Sequence, residues 1–287
     1  MRVGLIGLGL LGSAIGDRLR GAGFQTWGHD TGRAQRAEFA AAGGSREEPA
    51  RIFAECSRIV LALPTSEIAA EVLGAHGGSL RSGAVVIDCT TGVPSEGESM
   101  GAALAAHGAG YLDATVGGSS KVVRSGEAIA MVGGAREHFD ACAPVFDSFC
   151  RRAFLLGPCG AGARMKLVFN LALGLHRAVL AEALGFAAGM GLDEAVALEV
   201  LRSGVAKSAA MDVKGAKMLA RDFEPEARLA QHHKDVRIML EEGRRTGASL
   251  PLTELHDRIL SECEANGWGA LDNSAVRLAF DPQKKAE

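Results

Sequence analysis

The sequence predicts an α/β chain in two parts. An N-terminal doubly wound parallel sheet covers residues 1–161 and an all-α C-terminal domain covers residues 162–287, the two joined by one long helix. Three observations predict this. Short apolar, β-branched runs alternate with helical stretches through the first half, which favours a mostly parallel sheet with helices on both faces. A glycine-rich turn, Gly7-Leu8-Gly9-Leu10-Leu11-Gly12, follows the first such run and opens a helix. From residue 162 helical spacing dominates, and no low-complexity linker precedes it.

Residues 3–6 make the first apolar strand, and residues 13–22 read as the helix behind it. Residues 25–29 are a second strand. Residues 59–63 and 85–87 are rich in β-branched side chains and end at Pro64 and Asp88. Residues 129–132 and 154–156 supply later strands, and another precedes Asp113. In the second half, Ala178, Ala181, Glu182, Gly185 and Ala188 suit one close-packed face of a long helix. Residues 193–203 and 229–243 read as further helices, punctuated by Pro225 and Pro251. The polar tail, residues 281–287, is expected to fray.

The 287 residues suggest about two domains. Lys and Arg number 31 against 34 Asp and Glu, a net charge of −3 that argues against a general nucleic-acid binder. Six cysteines (Cys56, Cys89, Cys142, Cys150, Cys159, Cys263) include no CxxC pair, so a reduced, cytoplasmic setting is expected. The first residues already read as a strand, so no signal peptide is expected. His176, Arg177 and Glu182 interrupt the longest apolar stretch, residues 167–192, which reads as a buried helix rather than a membrane span.

Each glycine of the first turn has a physical reason. Gly7 permits the tight turn, Gly9 lets the backbone approach a pyrophosphate, and Gly12 lets helix and strand pack closely. The helix N-terminus would face the phosphates with free N–H groups and a positive dipole end. Asp30 ends the second strand near the expected offset for a carboxylate that accepts adenosine ribose hydroxyls. It would repel a 2′-phosphate, which favours NAD over NADP, although nearby Arg33 could bind that phosphate. Asp30 also suits a plain turn.

Three further segments carry chemistry. The small residues of Asp113-Ala114-Thr115-Val116-Gly117-Gly118-Ser119-Ser120 could expose N–H groups that cradle a carboxylate, or form an ordinary turn. Gly160-Ala161-Gly162 leads into Lys166, with Asn170 one helical turn later on the same face. Lys234-Asp235 follows His232 and His233, and alone reads as a solvated pair. Adjacent histidines point about 100° apart on a helix, and no zinc spacing exists, so no metal site is expected.

These segments, in this order, resemble the β-hydroxyacid dehydrogenase family, the relatives of 3-hydroxyisobutyrate dehydrogenase, along nearly the whole chain. The family's GLGxMG resembles Gly7 to Gly12, with Leu11 for Met. Its D-x-S-T-x-x-P resembles Asp88-Cys89-Thr90-Thr91-Gly92-Val93-Pro94, and its DAPVSGG resembles Asp113 through Ser119. Its GxGxxxKxxxN is matched by Gly160, Gly162, Lys166 and Asn170, and its late KD pair by Lys234-Asp235. The ending Gly267-Trp268-Gly269-Ala270-Leu271-Asp272-Asn273-Ser274-Ala275 looks like the glyoxylate and succinic semialdehyde reductase branch.

The resemblance implies a Rossmann-type first domain and NAD(P)-dependent hydride transfer on a small β-hydroxy acid or its semialdehyde. It implies homodimers or homotetramers built through the helical domain. Lys166 would be the general acid and base, with Asn170 holding substrate and lysine in register. Oxidation should then gain rate toward alkaline pH and reduction lose it. Gly117, Gly118 and Ser119 would bind the carboxylate, and Asp235 would support the lysine network. Gly7, Leu8, Gly9, Leu10, Leu11, Gly12, Asp30, Leu63, Pro64, Thr91 and Lys234 are the expected cofactor contacts. Two departures bear on substrate. The motif's Ser is Gly117 and its second Gly is Ser119, and Ala227 stands where the reductase branch carries Phe, which should widen the pocket. The alternatives are an imine reductase of the same fold, a decarboxylating phosphogluconate-type enzyme, and a dinucleotide-binding sensor without turnover. The imine reductases usually lack the lysine. The phosphogluconate branch carries His where this chain has Phe169.

Overall fold

The computed structural model describes residues 1–281. Among these residues eight strands form one sheet: β1 Arg2–Ile6, β2 Gln25–His29, β3 Ser45–Arg46, β4 Arg58–Leu61, β5 Val85–Asp88, β6 Gly110–Gly117, β7 Ala128–Gly134 and β8 Cys150–Gly157. Their order is β3-β2-β1-β4-β5-β6-β7-β8, and every pair is parallel except β6 with β7. Helices α1 Leu10–Gly21, α2 Arg33–Ala41, α3 Pro49–Glu55, α4 Ser66–His76, α5 Pro94–Ala105, α6 Ser120–Arg124, α7 Arg136–Ala141 and α8 Ala143–Phe149 fall between the strands. The second half carries α9 Ala161–Gly189, α10 Glu194–Ser203, α11 Ala209–Ala220, α12 Leu229–Thr246 and α13 Pro251–Ala265.

Strand alternation sets the two cores. Successive side chains on a strand point to opposite faces. Val3 and Leu5 of β1, Val60 of β4 and Ile87 of β5 pack with Ile15 and Leu19 of α1 and Phe146 of α8. Their neighbours Ile6, Ile59, Leu61 and Val86 pack with Ile52 and Phe53 of α3 and Leu104 of α5. Both faces are covered, so these strands read as near-continuous apolar runs.

Compact packing divides the chain into Met1–Lys166 and Leu167–Glu287. The break lies five residues beyond the expected boundary at residue 161, because the first turns of α9 pack with the sheet's own unit. In the second unit, Leu180, Ala181 and Leu184 of α9 join Leu198, Met218, Leu229, Val236 and Leu260 in one core. By length and composition alone, α9 could cross a membrane. Its Glu182, expected on the packed face, is exposed. Asp281, at the start of the expected frayed tail, is ion-paired to Arg221 and Arg277, and the rest of that tail lies outside the described residues.

The helical unit buries several charges. Asp272 is fully buried and accepts from Lys214 Nζ (3.0 Å), from the Glu226 and Ala227 N–H groups, and from Ser274. His256 of α13 lies against the His232 ring, with centroids 5.3 Å apart. Burial first, then Arg177, pushes the His256 pKa down to about 4. Above the ordinary value of 6.5 the ring is neutral in folded and unfolded chains alike. Below it the unfolded chain takes up a proton that the folded chain refuses. Stability should therefore fall by about 3 kcal/mol as pH drops from 6.5 to 4. His256→Gln is expected to flatten that limb in thermal melts collected across the window. An unchanged slope would assign the acid sensitivity elsewhere.

Candidate active site

The ends of five parallel strands place the candidate loops along one edge of the sheet, the usual ligand edge of an open α/β sheet. Gly7 follows β1, Asp30 follows β2, Leu63-Pro64 follow β4, Thr91 follows β5 and Gly118 follows β6. At Gly7 the backbone φ is +92°, a conformation that favours glycine. A Cβ on Gly12 would overlap the Gly7 carbonyl oxygen, so this glycine is required by helix–strand packing. Around Gly9 a Cβ would meet nothing within 4 Å. Nothing in the protein requires glycine there. The open space lies at the N-terminus of α1, whose first turn carries no acidic residue. This cradle fits a dinucleotide pyrophosphate.

Asp30 is tied to that turn. Its Oδ2 accepts the Leu8 N–H at 2.7 Å and its Oδ1 accepts the Gly32 N–H at 2.7 Å. The second bond is the local turn, and the first links the end of β2 to the glycine loop. Arg33 is exposed at the start of α2, and Arg36 donates to the Asp30 carbonyl.

Side chains stitch the next two loops together. Thr90 Oγ1 accepts the Leu63 N–H (3.2 Å), and Ser66 Oγ accepts the Val93 N–H (3.1 Å). Asp88 accepts the Thr90 N–H (2.9 Å) and the Tyr111 hydroxyl (2.8 Å). Burial pushes the Asp88 pKa up. Sequence reading gave Asp88, Thr90, Ser66 and Tyr111 no role. Asp88 and Thr90 sit in a quoted motif, but their partners are 23 and 27 residues away in sequence.

The segment expected to form a turn or cradle is corrected. Residues 113–117 lie inside β6, paired antiparallel with β7, and Gly117 sits opposite Ile129. The fold-back of β7 extends the ladder past the point where the parallel sheet would end. Only Gly118, Ser119 and Ser120 emerge beyond it. Gly118 is exposed with φ +139°, and Ser119 occupies the N-cap of α6. The Asp113 carboxylate turns inward, accepting the Gly160 N–H (2.9 Å) and the Ala163 N–H (2.8 Å).

Lys166 is buried, 9% exposed, on α9, and its Nζ donates to the Val116 carbonyl oxygen at 2.5 Å. Such a group can carry a proton to or from a carbonyl or alcohol oxygen. In the second unit, Asn170 is one turn further along α9. Its Nδ2 donates to Asp235 Oδ2 at 2.9 Å, and both residues are buried. Lys234 Nζ is 3.4 Å from Asp235 Oδ1. The solvated reading of Lys234-Asp235 fails at Asp235, which is only 5% exposed. His233 lies between Asp257 (2.9 Å) and Glu264 (3.1 Å). Among the described residues no group of three or more His, Cys, Asp or Glu could hold a metal ion. The Ala227 backbone is clamped by Asp272 and by the Asn273 N–H.

Comparison with known proteins agrees with this geometry. Residues 2–157 match the family model described as the NAD binding domain of 6-phosphogluconate dehydrogenase. Residues 160–279 match the one described as NAD-binding of NADP-dependent 3-hydroxyisobutyrate dehydrogenase. The 2-hydroxy-3-oxopropionate reductase of Escherichia coli (strain K12) is 30% identical over 285 residues, covering 98% of this chain and 97% of that protein. The 2-(hydroxymethyl)glutarate dehydrogenase of Eubacterium barkeri is 31% identical over 281 residues, covering 96% and 93%. The structure of Mycobacterium tuberculosis 3-hydroxyisobutyrate dehydrogenase with L-serine superposes with a TM-score of 0.88 at 25% identity, covering 98% of this chain and 99% of that one. The chain belongs to the 3-hydroxyisobutyrate dehydrogenase family of NAD(P)-dependent oxidoreductases acting on small hydroxy acids.

Proposed function

We propose that this enzyme interconverts a small β-hydroxy acid and its semialdehyde, with Lys166 as proton donor and acceptor and NAD as the preferred cofactor. The observation that carries the reading is a buried lysine ammonium held on the Val116 carbonyl, three residues beyond the Asp113 anchor of its helix. When bound, the nicotinamide supplies or accepts the hydride. Gly7, Leu8, Gly9, Leu10, Leu11 and Gly12 would hold the pyrophosphate, with Asp30 on the ribose. Leu63, Pro64, Thr91 and Lys234 would flank the remainder of the cofactor.

Lys166 Nζ gives a proton to the substrate oxygen in reduction and takes it back in oxidation. Asp235 accepts from Asn170 Nδ2, which leaves the Asn170 oxygen to be presented as an acceptor. Gly117, Gly118 and Ser119 would receive the carboxylate. The backbone N–H groups at the start of α6 support that role at Gly118 and Ser119. Gly117 stays within the ladder and contributes by its lack of side chain. Exposed apolar side chains of the helical unit, Val179, Phe186, Val196 and Val200 among them, support a homodimer or homotetramer built through that unit.

The test is reduced-nicotinamide absorbance with NADH and NADPH in parallel, against 2-hydroxy-3-oxopropanoate and a panel of other semialdehydes. The expected result is turnover with a preference for NADH of about tenfold, equivalent to ~1.4 kcal/mol. Asp30→Asn should narrow that preference, because it removes the charge that repels a 2′-phosphate. A parent enzyme that prefers NADPH would transfer the cofactor reading from Asp30 to Arg33. Reduction of cyclic imines alone would favour the imine reductase alternative.

A further inference from the structure

The start of α9 lacks its own cap. A local capping box uses an N-cap side chain on the N3 N–H and an N3 side chain on the N-cap N–H. Here the corresponding residues are Gly160, with φ +90°, and Ala163, and neither side chain can do this. One carboxylate from another element does both. Asp113 Oδ1 takes the Gly160 N–H and Oδ2 takes the Ala163 N–H, at 2.9 and 2.8 Å. Space for the carboxylate is built in. A Cβ on Gly133 of β7 would collide with Oδ1, and one on Gly162 would lie 2.9 Å from Oδ2. Two more bonds continue along β6. Thr115 Oγ1 donates to the Gly162 carbonyl (3.1 Å), and the Val116 carbonyl accepts Lys166 Nζ. Asp113 and Val116 reach α9 at residues 163 and 166, the same separation of 50 residues. The carboxylate holds the first turn of α9, and the lysine projects from the second.

We propose that Asp113 is a positioning residue for the reaction, setting the place of the Lys166 ammonium by capping the first turn of α9. This rests on the reading of Lys166 as the proton carrier. Asp113 touches neither substrate nor cofactor in this role. It acts through three residues of helix.

The device is pH-sensitive, with a definite sign. Burial outweighs the two N–H bonds and lifts the Asp113 pKa to about 6. The groups facing it are Asp88 from β5, Tyr111 on its own strand and Cys159 from the turn before α9. Facing it from β7 is Gly133, and from α5 Gly97, neither of them charged. Above pH about 6 both oxygens accept. Below it one oxygen becomes an O–H that faces a backbone N–H, and the cap weakens.

The test combines exchange and kinetics on the full chain. Amide hydrogen exchange is read on peptides spanning residues 158–167, and turnover is read with 2-hydroxy-3-oxopropanoate and NADH. Asp113→Asn is expected to speed exchange in that segment about 10- to 100-fold, the loss of a charge-assisted hydrogen bond, while residues 167–189 keep their protection. It should lower kcat about tenfold or more with an unchanged KM for NADH. The acid limb of kcat near pH 6 should disappear. The parent protein needs no substitution for a second reading. After correction for intrinsic rates, exchange over residues 158–167 should accelerate as pH falls from 7.5 to 5. Exchange independent of pH and of Asp113→Asn would overturn the inference, as would an acid limb that survives the substitution. If Lys166→Ala abolishes turnover while Asp113→Asn leaves it intact, positioning fails alone. If Lys166→Ala turns over normally, the lysine reading fails, and with it this inference, even where the exchange data still show a cap.

Discussion

Lys166→Ala is expected to lower turnover roughly 10²- to 10⁴-fold with dinucleotide affinity unchanged. The side chain is buried at 9% exposure, and its ammonium donates to the Val116 carbonyl. The ammonium gives its proton up when a stronger base, a forming alkoxide, comes within reach. Deleting the group removes the proton carrier and leaves the glycine loop, Asp30 and the β4 and β5 loops as they were. Binding of NADH, followed by fluorescence or calorimetry, should therefore match the parent.

Lys166→Arg separates charge from proton transfer. A guanidinium keeps the positive charge but does not surrender its proton in proteins. This variant should fail in oxidation as badly as Lys166→Ala. Turnover of Lys166→Ala within about tenfold of the parent, below the range for a general acid or base, would remove the lysine from the mechanism.

Local pattern located most of the sheet. The strand over residues 25–29 matches β2 residue for residue, because its neighbours on both sides are turn-forming. The glycine turn was legible because each glycine answers a local demand of backbone or ligand. The long-range contacts were not. Residues 113–117 read as a turn because Asp, Gly and small residues are depleted in strands. What makes them strand is β7, which pairs with them from more than ten residues further along. Asp113 carries no local sign that it caps a helix 50 residues away. Asp235 reads as half of a surface pair until α12 is packed, when its carboxylate faces Asn170. Periodicity reports which residues share a face of one element. It is silent on which buried carboxylate serves a second element.

The glycines of the first turn allow the fold and the ligand to be separated by substitution. Gly9 has φ −68° and ψ −162°, extended backbone that any residue adopts, and a side chain there meets no protein atom within 4 Å. Gly9→Val should therefore fold, with a Tm within a few degrees of the parent. It should still lose dinucleotide affinity by about 10²-fold, because the added methyls stand where backbone must approach the pyrophosphate. That figure corresponds to losing one or two hydrogen bonds to a charged group. Gly12→Ala should behave in the opposite way. Its single methyl overlaps the Gly7 carbonyl and touches Ala62, so α1 must move off β1. Overpacking of this kind costs about 1–3 kcal/mol, and the melt should show it without any ligand present. Affinity would fall only as a consequence of the displaced helix. Two measurements on two proteins thus assign the two glycines. A Gly9→Val protein that binds NADH like the parent would mean that the loop does not seat a pyrophosphate. A Gly12→Ala protein with an unshifted melt would mean that close helix–strand packing is not what this glycine is for.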